Sequence, residues 1–260
     1  MLPLMLLAID IGNTQTTLGL YETELQASWR VSTHAQATPD ELAALLTSLL
    51  AGRGYGPADV EAVCLCSVVP ELTRAWLEVC ATLKLPTPLT PADLAPADLG
   101  LTPQQIALVG ADRLANVVAA RARYGAPAIV VDFGTATNLD VIDDAGHFIG
   151  GPISAGLQIS ADALYAHAAR LSSVELAAPT RIIAQTTEDA LRAGLVVGEA
   201  AKVDGLVARI TGELGMAPGS LPVIATGGLA TLVAPHSATI TVCDPTLTLD
   251  GLQLLMGGGA

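Results

Sequence analysis

The fold is decided by Met5–Leu20, which reads MLLAIDIGNTQTTLGL. Its apolar beginning is typical of a buried strand that ends at Asp10 and Gly12. Apolar residues alternate again at Leu18 and Leu20, which predicts a returning second strand. The stretch is therefore predicted to form a β-hairpin with a polar turn, and we call Asp10–Thr17 the first acidic turn.

The first acidic turn carries groups that suit a phosphate ligand. Glycine lets the backbone approach a ligand closely, and threonines offer hydroxyl and N–H groups. Asp10 at the strand end is suited to hold Mg²⁺ or a water beside phosphate oxygens, because Mg²⁺ takes one or two carboxylates together with phosphate and water. The same residue types also form ordinary turns, so this motif alone leaves both interpretations open.

A second copy of the pattern lies about half the chain away, at Ala128–Ile142, AIVVDFGTATNLDVI. It contains Asp132–Thr137, which we call the second acidic turn. Two such copies predict a duplicated architecture with the acidic turns facing each other across a cleft. The pattern resembles the actin, sugar kinase and Hsp70 superfamily, in which a nucleotide lies between two related domains.

Helices and strands alternate along the rest of the chain. A helix is predicted to open at Pro39, an apolar strand covers 60–69, and another helix follows it, which is a parallel βαβ pattern. We therefore predict an α/β protein with duplicated actin-like (ribonuclease H-like) domains and a nucleotide cleft between them. The two domains are placed at residues 1–115 and 116–260.

The motif Gly110-Ala111-Asp112-Arg113 directly precedes an amphipathic helix. An aspartate in the first turn of a helix interacts favourably with the helix dipole, which is the ordinary structural interpretation. In the functional interpretation, Asp112 accepts a proton from a substrate alcohol and Arg113 holds a carboxylate or phosphate. Periodicity alone favours the structural interpretation.

Two later motifs have the same double interpretation. Thr186-Thr187-Glu188-Asp189 has the pattern of a capping box before a long helix, so N-capping is the default role for Thr187 and ligand contact is the alternative. Thr226-Gly227-Gly228-Leu229 links a buried strand to a helix, which predicts N–H groups suited to a phosphate or nucleotide.

Composition excludes several classes of function. The 260 residues carry a formal net charge of −13, which argues against nucleic acid or an anionic membrane as the main partner. The apolar N-terminal run has no basic segment and stops at Asp10, so we expect neither a signal peptide nor a membrane span. Four cysteines without metal-like spacing are expected to be reduced and structural in a cytoplasmic protein; they are Cys64, Cys66, Cys80 and Cys243.

Other enzyme motifs are missing from the sequence. It has no G-x-x-x-x-G-K-[ST] of a P-loop, no G-x-G-x-x-G after a strand, no G-x-S-x-G elbow, and no metal spacing among its four histidines. These absences argue against P-loop, Rossmann and serine hydrolase chemistry.

Together the motifs closely resemble a type III pantothenate kinase over nearly the whole length. Five motifs of this chain have the order and spacing of the family's motifs: Asp10–Thr14, Gly110–Arg113, Asp132–Thr137, Gly150–Ile153 and Thr226–Leu229. The resemblance implies ATP-dependent phosphorylation of the primary alcohol of pantothenate to 4'-phosphopantothenate, the first step of coenzyme A biosynthesis. It also implies a homodimer, Mg²⁺ with ATP, and a monovalent cation such as K⁺ or NH₄⁺.

The resemblance also implies roles for particular residues. The ATP-binding set would be Asp10, Ile11, Gly12, Asn13, Thr14, Gln15, Thr16, Thr17 and Thr135. The pantothenate site would be lined by Gly110, Ala111, Asp112, Arg113 and Thr187, with Asp112 as the catalytic base. Asp132 would bind the monovalent cation, and Asp10 would be a candidate ligand for the Mg²⁺ of ATP. Phosphoryl transfer needs positioning and charge neutralisation above all, and these groups supply both.

The chain departs from the family pattern at four places. Pro103 replaces a usual tyrosine, Asn138 a usual threonine and Ala155 a usual proline, and 191–194 reads LRAG where Ile-Gln-Ser-Gly is common. These changes bear on the shape of the pantothenate pocket. Two alternatives therefore stay open: a kinase of the same fold for another small alcohol, and a non-catalytic regulatory member of the family.

Overall fold

Two compact units divide the chain, Met1–Ala122 with Leu247–Ala260, and Arg123–Thr246. The computed structural model describes residues 5–95, 97–168 and 171–257. The units differ from the predicted domains, 1–115 and 116–260, in two ways. The division falls near the end of a helix that the prediction cut, and the last helix belongs to the first unit.

The first unit is built on a four-stranded sheet with the order β3-β2-β1-β4. The strands are β1 (Leu6–Ile11), β2 (Gln15–Tyr21), β3 (Leu25–Ser32) and β4 (Ala62–Ser67). β1 pairs antiparallel with β2, as the predicted hairpin requires, and parallel with β4. Its helices are α1 (Pro39–Ala51), α2 (Pro70–Thr82), α3 (Pro91–Leu94), α4 (Pro103–Leu108) and α5 (Ala111–Tyr124).

The last helix, Leu247–Met256, is tied to the first unit by two side-chain hydrogen bonds. The buried hydroxyl of Tyr21 donates to Oδ1 of Asp250 at 2.7 Å. The hydroxyl of Thr248 donates to Oδ1 of Asn116 at 2.8 Å. These contacts explain why a helix at the far end of the sequence groups with β1–β4, where the pattern of the sequence placed it in the second domain.

The second unit contains a six-stranded sheet in which β10-β9-β5-β6-β7 are consecutive and β8 also pairs with β6. The strands are β5 (Ala128–Phe133), β6 (Ala136–Ile142), β7 (Phe148–Gly150), β8 (Ile153–Ala155), β9 (Val223–Thr226) and β10 (Val242–Cys243). The helices are α6 (Leu157–His167), α7 (Thr187–Arg192), α8 (Gly198–Glu213) and α9 (Ala230–Val233). A π-helical segment, Ala193–Val197, joins α7 to α8.

The two sheets repeat one arrangement. In each, the first strand pairs antiparallel with the second and parallel with a later strand, β4 in one unit and β9 in the other. Asp10 and Asp132 are both the fifth residue of the first strand, and β1 and β5 have the same sequence of buried and partly exposed positions. The predicted α/β fold with duplicated domains is confirmed in this repeated topology.

The cores of both units are mainly aliphatic, as the composition predicted. Among the largest fully buried side chains, only Trp76 and Phe133 are aromatic and the others are leucine or isoleucine. Within the described ranges, every helix is too short or too polar to cross a membrane.

Candidate active site

The first acidic turn is an exposed loop between two buried strands. The N–H of Gly12 donates to the carbonyl of Gln15 at 3.0 Å and closes the turn. Asn13, Thr14 and Gln15 are exposed, so this part of the turn is accessible to a ligand.

Two residues of the predicted ATP-binding set have side chains that are buried in the first unit. Ile11 is fully buried in the core. Thr16 is 4% exposed, and its hydroxyl lies 2.9 Å from the hydroxyl of Thr33 on the chain that follows β3. Any contact of these two residues with a phosphate would therefore come from their backbone. The N–H of Gly12 is already engaged within the turn.

The motif Gly110–Arg113 forms the start of α5, with Gly110 just before it. The carboxylate of Asp112 folds back to accept a hydrogen bond from the N–H of Arg113 at 2.8 Å. A Cβ at Gly110 would overlap with Oδ1 of Asp112, which explains the glycine at this position. Asp112 and Arg113 are half-buried at the helix N-terminus, so both the structural and the functional interpretation of the motif fit this geometry.

Asp10 and Asp112 both influence the ionisation of one buried thiol, although about 100 residues separate them in the sequence. Cys66 on β4 is the register partner of Asp10 on β1. Burial raises the pKa of the Cys66 thiol well above its ordinary range, and the carboxylates of Asp10 and Asp112 raise it further. Both carboxylates thus lie within electrostatic reach of the same sulfur atom. The first unit therefore holds both a candidate ligand for the Mg²⁺ of ATP and a candidate base within electrostatic range of Cys66.

The sequence did not predict that Cys66 lies beside Asp10. It showed only that Cys66 alternates with Cys64 along an apolar strand. Both are buried and unpaired, as expected for reduced structural cysteines, and Cys80 is buried as well. Cys243 differs because it is exposed. The signal that would have found Cys66 is the strand register between β1 and β4, which the sequence does not display.

The second acidic turn is packed tightly against two glycines. The N–H of Gly156 donates to the carbonyl of Thr135 at 3.1 Å, and a Cβ at Gly156 would overlap with that carbonyl oxygen. A Cβ at Gly227 would overlap with Oδ1 of Asp132. The positions of Asp132 and Thr135 therefore depend on the absence of side chains at these glycines.

The motif Thr226–Leu229 links β9 to a helix, as the sequence predicted, but that helix, α9, has only four residues. The N–H of Leu229 donates to the carbonyl of Phe133 at 3.2 Å and holds the turn against β5. The N–H of Ala230 donates to the carbonyl of Gly227 and closes the turn itself. Binding of a phosphate or nucleotide at this turn stays a prediction.

The predicted N-cap at Thr187 is corrected. The capping residue is Thr186, whose hydroxyl oxygen accepts from the N–H of Asp189 at 3.1 Å and donates to the carboxylate of Asp189. Thr187 is the first residue of α7 and is exposed. Its hydroxyl makes no hydrogen bond within the described part of the chain, so it is available to a ligand.

A cavity of about 330 Å³ lies elsewhere on the first unit. It is lined by the end of β3 and the residues after it, and by side chains of α1 and α2, including Trp76. Of the predicted site residues only Thr16 contributes to it. Neither Asp10 nor Asp112 lines this cavity.

A fold in which one hairpin-plus-parallel-strand sheet occurs twice, each copy with an acidic turn, defines the actin-like two-domain class that includes the sugar kinases. A solved structure with this fold is that of a conserved putative Baf family transcriptional activator from Campylobacter jejuni. It superposes with a TM-score of 0.59 at 19% identity and covers 96% of this chain and 97% of that one. The (R)-2-hydroxyglutaryl-CoA dehydratase component A of Acidaminococcus fermentans superposes with a TM-score of 0.57 at 14% identity and covers 98% and 99% of the two chains.

Sequence comparison narrows the class to one family. The profile of the type III pantothenate kinases matches residues 6–209. Type III pantothenate kinases of Roseiflexus sp. (strain RS-1) and Roseiflexus castenholzii are each 44% identical over 252 residues, covering 96% of this chain and 98% of theirs. The chain belongs to the type III pantothenate kinase family.

Proposed function

We propose that this protein transfers the γ-phosphoryl group of ATP to the primary alcohol of pantothenate and so opens coenzyme A biosynthesis. Membership of the family over 96% of the chain supports the reaction. The observation that carries it is the pair of acidic residues in the first unit, Asp10 at the end of β1 beside the exposed turn and Asp112 in the first turn of α5, because phosphoryl transfer needs a metal–phosphate site and a base.

The first unit supplies the base and the main phosphate contacts. Asp112 accepts the proton of the pantothenate hydroxyl as its oxygen attacks the γ-phosphorus, and the bond from that phosphorus to the β–γ bridging oxygen breaks to release ADP. Arg113, half-buried beside the base, offers a guanidinium to the pantothenate carboxylate or to a phosphate. The exposed turn Asn13–Gln15 offers N–H and side-chain donors to the ATP phosphates.

Asp10 fits the Mg²⁺ that accompanies ATP. It is a partly exposed carboxylate at a strand end, beside the accessible turn. Within the described ranges, no group of three or more His, Cys, Asp and Glu side chains is arranged to hold a metal. One carboxylate plus phosphate oxygens and water is the ligand set that Mg²⁺ prefers, and the bound ion neutralises charge on the phosphates.

The second unit supplies Thr135 as a further ATP contact, Thr187 as a pantothenate contact and Asp132 as a ligand of K⁺ or NH₄⁺. Asn138 lies directly opposite Asp132 in the β5–β6 register, so their side chains share one face of the sheet. Oδ1 of Asn138 is buried without a hydrogen-bond partner among the described residues. An oxygen donor left unsatisfied beside a carboxylate fits a monovalent cation.

We also expect a cytoplasmic homodimer that binds neither nucleic acid nor membrane. Several large apolar side chains are exposed within one segment of the second unit: Ile149, Ile153, Ile159, Leu164, Ile182 and Ile183. Burying exposed apolar side chains against a second copy of the chain would stabilise a dimer interface. Sedimentation velocity at micromolar concentration tests this, and a single monomer peak would exclude the dimer.

The assay for the proposed reaction measures ADP release by purified protein with ATP and Mg²⁺, with and without pantothenate, in K⁺, NH₄⁺ or Na⁺ buffers. We expect turnover that requires pantothenate and is stimulated by K⁺ or NH₄⁺. Detection of 4'-phosphopantothenate by mass spectrometry identifies the product. Absence of pantothenate-dependent turnover by a protein that binds ATP would overturn the proposal.

A kinase for another small alcohol is the second candidate, and the family departures favour testing it. Pro103 is the first residue of α4, and Thr102 and Gln105 form the capping box of that helix. The aromatic side chain that is usual in the family at this position is therefore replaced by a proline ring. Ala155 at the end of β8 is exposed. A panel of small primary alcohols in the same assay decides between the two, since the better substrate has the higher kcat/KM.

A further inference from the structure

An ion pair between a buried glutamate and a half-buried lysine lies next to the strands that flank the second acidic turn. Glu199 on α8 is 6% exposed, and its Oε1 accepts a hydrogen bond from the hydroxyl of Thr137 at 2.6 Å. The same oxygen lies 2.8 Å from Nζ of Lys202, one helical turn further on. A charged group this deeply buried is costly unless it is paired, so these partners hold the carboxylate in place.

Lys202 extends the network to β8. Its Nζ donates to Oγ of Ser154 at 2.9 Å and to the carbonyl of Ala155 at 3.2 Å. Ser154 is the register partner of Thr137, and its hydroxyl donates to the carbonyl of Thr137 at 3.3 Å. One ion pair on α8 therefore fastens β6 and β8 to each other, and we call Glu199, Lys202, Thr137 and Ser154 the α8 clamp.

The clamped strands lead directly into the second acidic turn. Thr137 is two residues after Thr135, and Ala155 precedes Gly156, whose N–H donates to the carbonyl of Thr135. The overlap that a Cβ at Gly156 would make with the turn shows how closely the two segments approach. A small shift of β8 would therefore move Thr135 as well.

The π-helical segment Ala193–Val197 leads directly into α8. Its buried positions, Ala193 and Val196, are followed by Glu199, Ala200 and Val203 at helical spacing. Glu199 therefore lies on the buried face of α8, where it meets Thr137 of β6. Helical segments of this π type occur frequently at functional sites.

We infer that the α8 clamp is a positioning device for ATP: it holds the second acidic turn so that Thr135 meets the nucleotide. Glu199 and Lys202 are positioning residues and do not touch the reacting atoms. The inference rests on the proposed function for the role of Thr135. The contacts that build the clamp lie entirely within the second unit.

The test replaces Glu199 by glutamine, which keeps the oxygen that accepts from Thr137 and removes the charge that holds Lys202. Binding of Mg-ATP is measured by titration calorimetry, which does not depend on turnover, and steady-state constants are measured in parallel. We expect Glu199→Gln to raise the Kd and the KM for ATP about fivefold, as for the loss of a charge-assisted contact. The KM for pantothenate should change less than the KM for ATP.

Glu213→Gln is the matched control, since Glu213 is an exposed glutamate at the end of the same helix. It should leave the affinity for ATP unchanged. Lys202→Met should raise the Kd for ATP as Glu199→Gln does, and the double variant should cost little more than either change alone, because residues that act through one network are not additive.

An unchanged affinity for ATP in Glu199→Gln, with a normal melting temperature, would overturn the inference. A fall in melting temperature with equal losses for both substrates would show a structural role and would overturn it as well. If the wild-type protein binds ATP but does not phosphorylate pantothenate, the proposed reaction fails. The calorimetric comparison would still decide whether the clamp controls ATP binding.

Discussion

Replacing Asp112 by asparagine separates the chemical role of this residue from its structural role. The amide keeps an oxygen in place to accept from the N–H of Arg113, a hydrogen bond of 2.8 Å. The structural loss is then the interaction of a negative charge with the helix dipole, about 0.3–1 kcal/mol. The chemical loss is larger, because removing a general base costs about 10²–10⁴ in rate, or roughly 2.7–5.4 kcal/mol of barrier.

The assay combines three measurements on Asp112→Asn: pantothenate-dependent ADP release, affinity for Mg-ATP, and the melting temperature. We expect kcat to fall about 10²–10⁴-fold, while ATP affinity and folding stay close to wild type. Asp40→Asn is the matched control, because Asp40 is also the second residue of its helix, α1, and is exposed. It removes the same dipole interaction without touching the site.

A kcat of Asp112→Asn within threefold of wild type would refute the role of Asp112 as the base. A similar fall in kcat in Asp40→Asn would show that loss of the charge–dipole interaction lowers kcat by itself. The chemical and structural roles of Asp112 would then not be separated by this experiment. A large loss of ATP affinity in Asp112→Asn would show that the carboxylate acts mainly on the nucleotide.

Other predictions follow from packing and titration. Gly251→Ala places a methyl group on the backbone carbonyl of Ala115 and should lower the free energy of unfolding by about 1–3 kcal/mol in urea, whereas Gly205→Ala on open helix surface should not. Gly156→Ala should weaken ATP binding by about tenfold in calorimetry, because its methyl group would displace the second acidic turn; unchanged binding would count against the tight packing. Iodoacetamide at pH 8 should label Cys243 alone in the native protein, because Cys243 is exposed whereas the other three cysteines are buried, and mass spectrometry checks this. Burial raises the pKa of those three thiols. Since those thiols ionise more easily in the unfolded chain, stability should be complete below about pH 9 and fall as the pH rises toward 12, as followed by urea denaturation across that range.

Much of the fold was predictable because its signals are local. The two hairpins could be read from an apolar run, an acid and a glycine, and both acidic turns lie where the sequence placed them. The start of α5 at Ala111 also follows from local chemistry, since an aspartate in a first helical turn is a common signal. The division into domains could not be predicted from local sequence. The last helix belongs to the first unit because of long-range contacts, such as the hydrogen bond between Tyr21 and Asp250.

The wrong cap predicted at the candidate site has a physical reason. Thr186 and Thr187 are chemically equivalent as caps, so only the backbone conformation decides between them, and it selects Thr186. The motif at Thr226–Leu229 was placed correctly between a strand and a helix, but the bond of its Leu229 N–H to Phe133 depends on tertiary packing.

The sequence alone determined the class of fold, the family, and the acids on which the proposed chemistry depends, because periodicity, turn chemistry and motif spacing are properties of the chain. Tertiary structure decided which of these groups meet. Asp10 lies beside Cys66 because β1 and β4 pair in one register among several that their apolar patterns allow. Glu199 meets Thr137 of β6 because it lies on the buried face of α8. Strand register and helix phase are settled by packing between distant segments, which no local pattern of residues records.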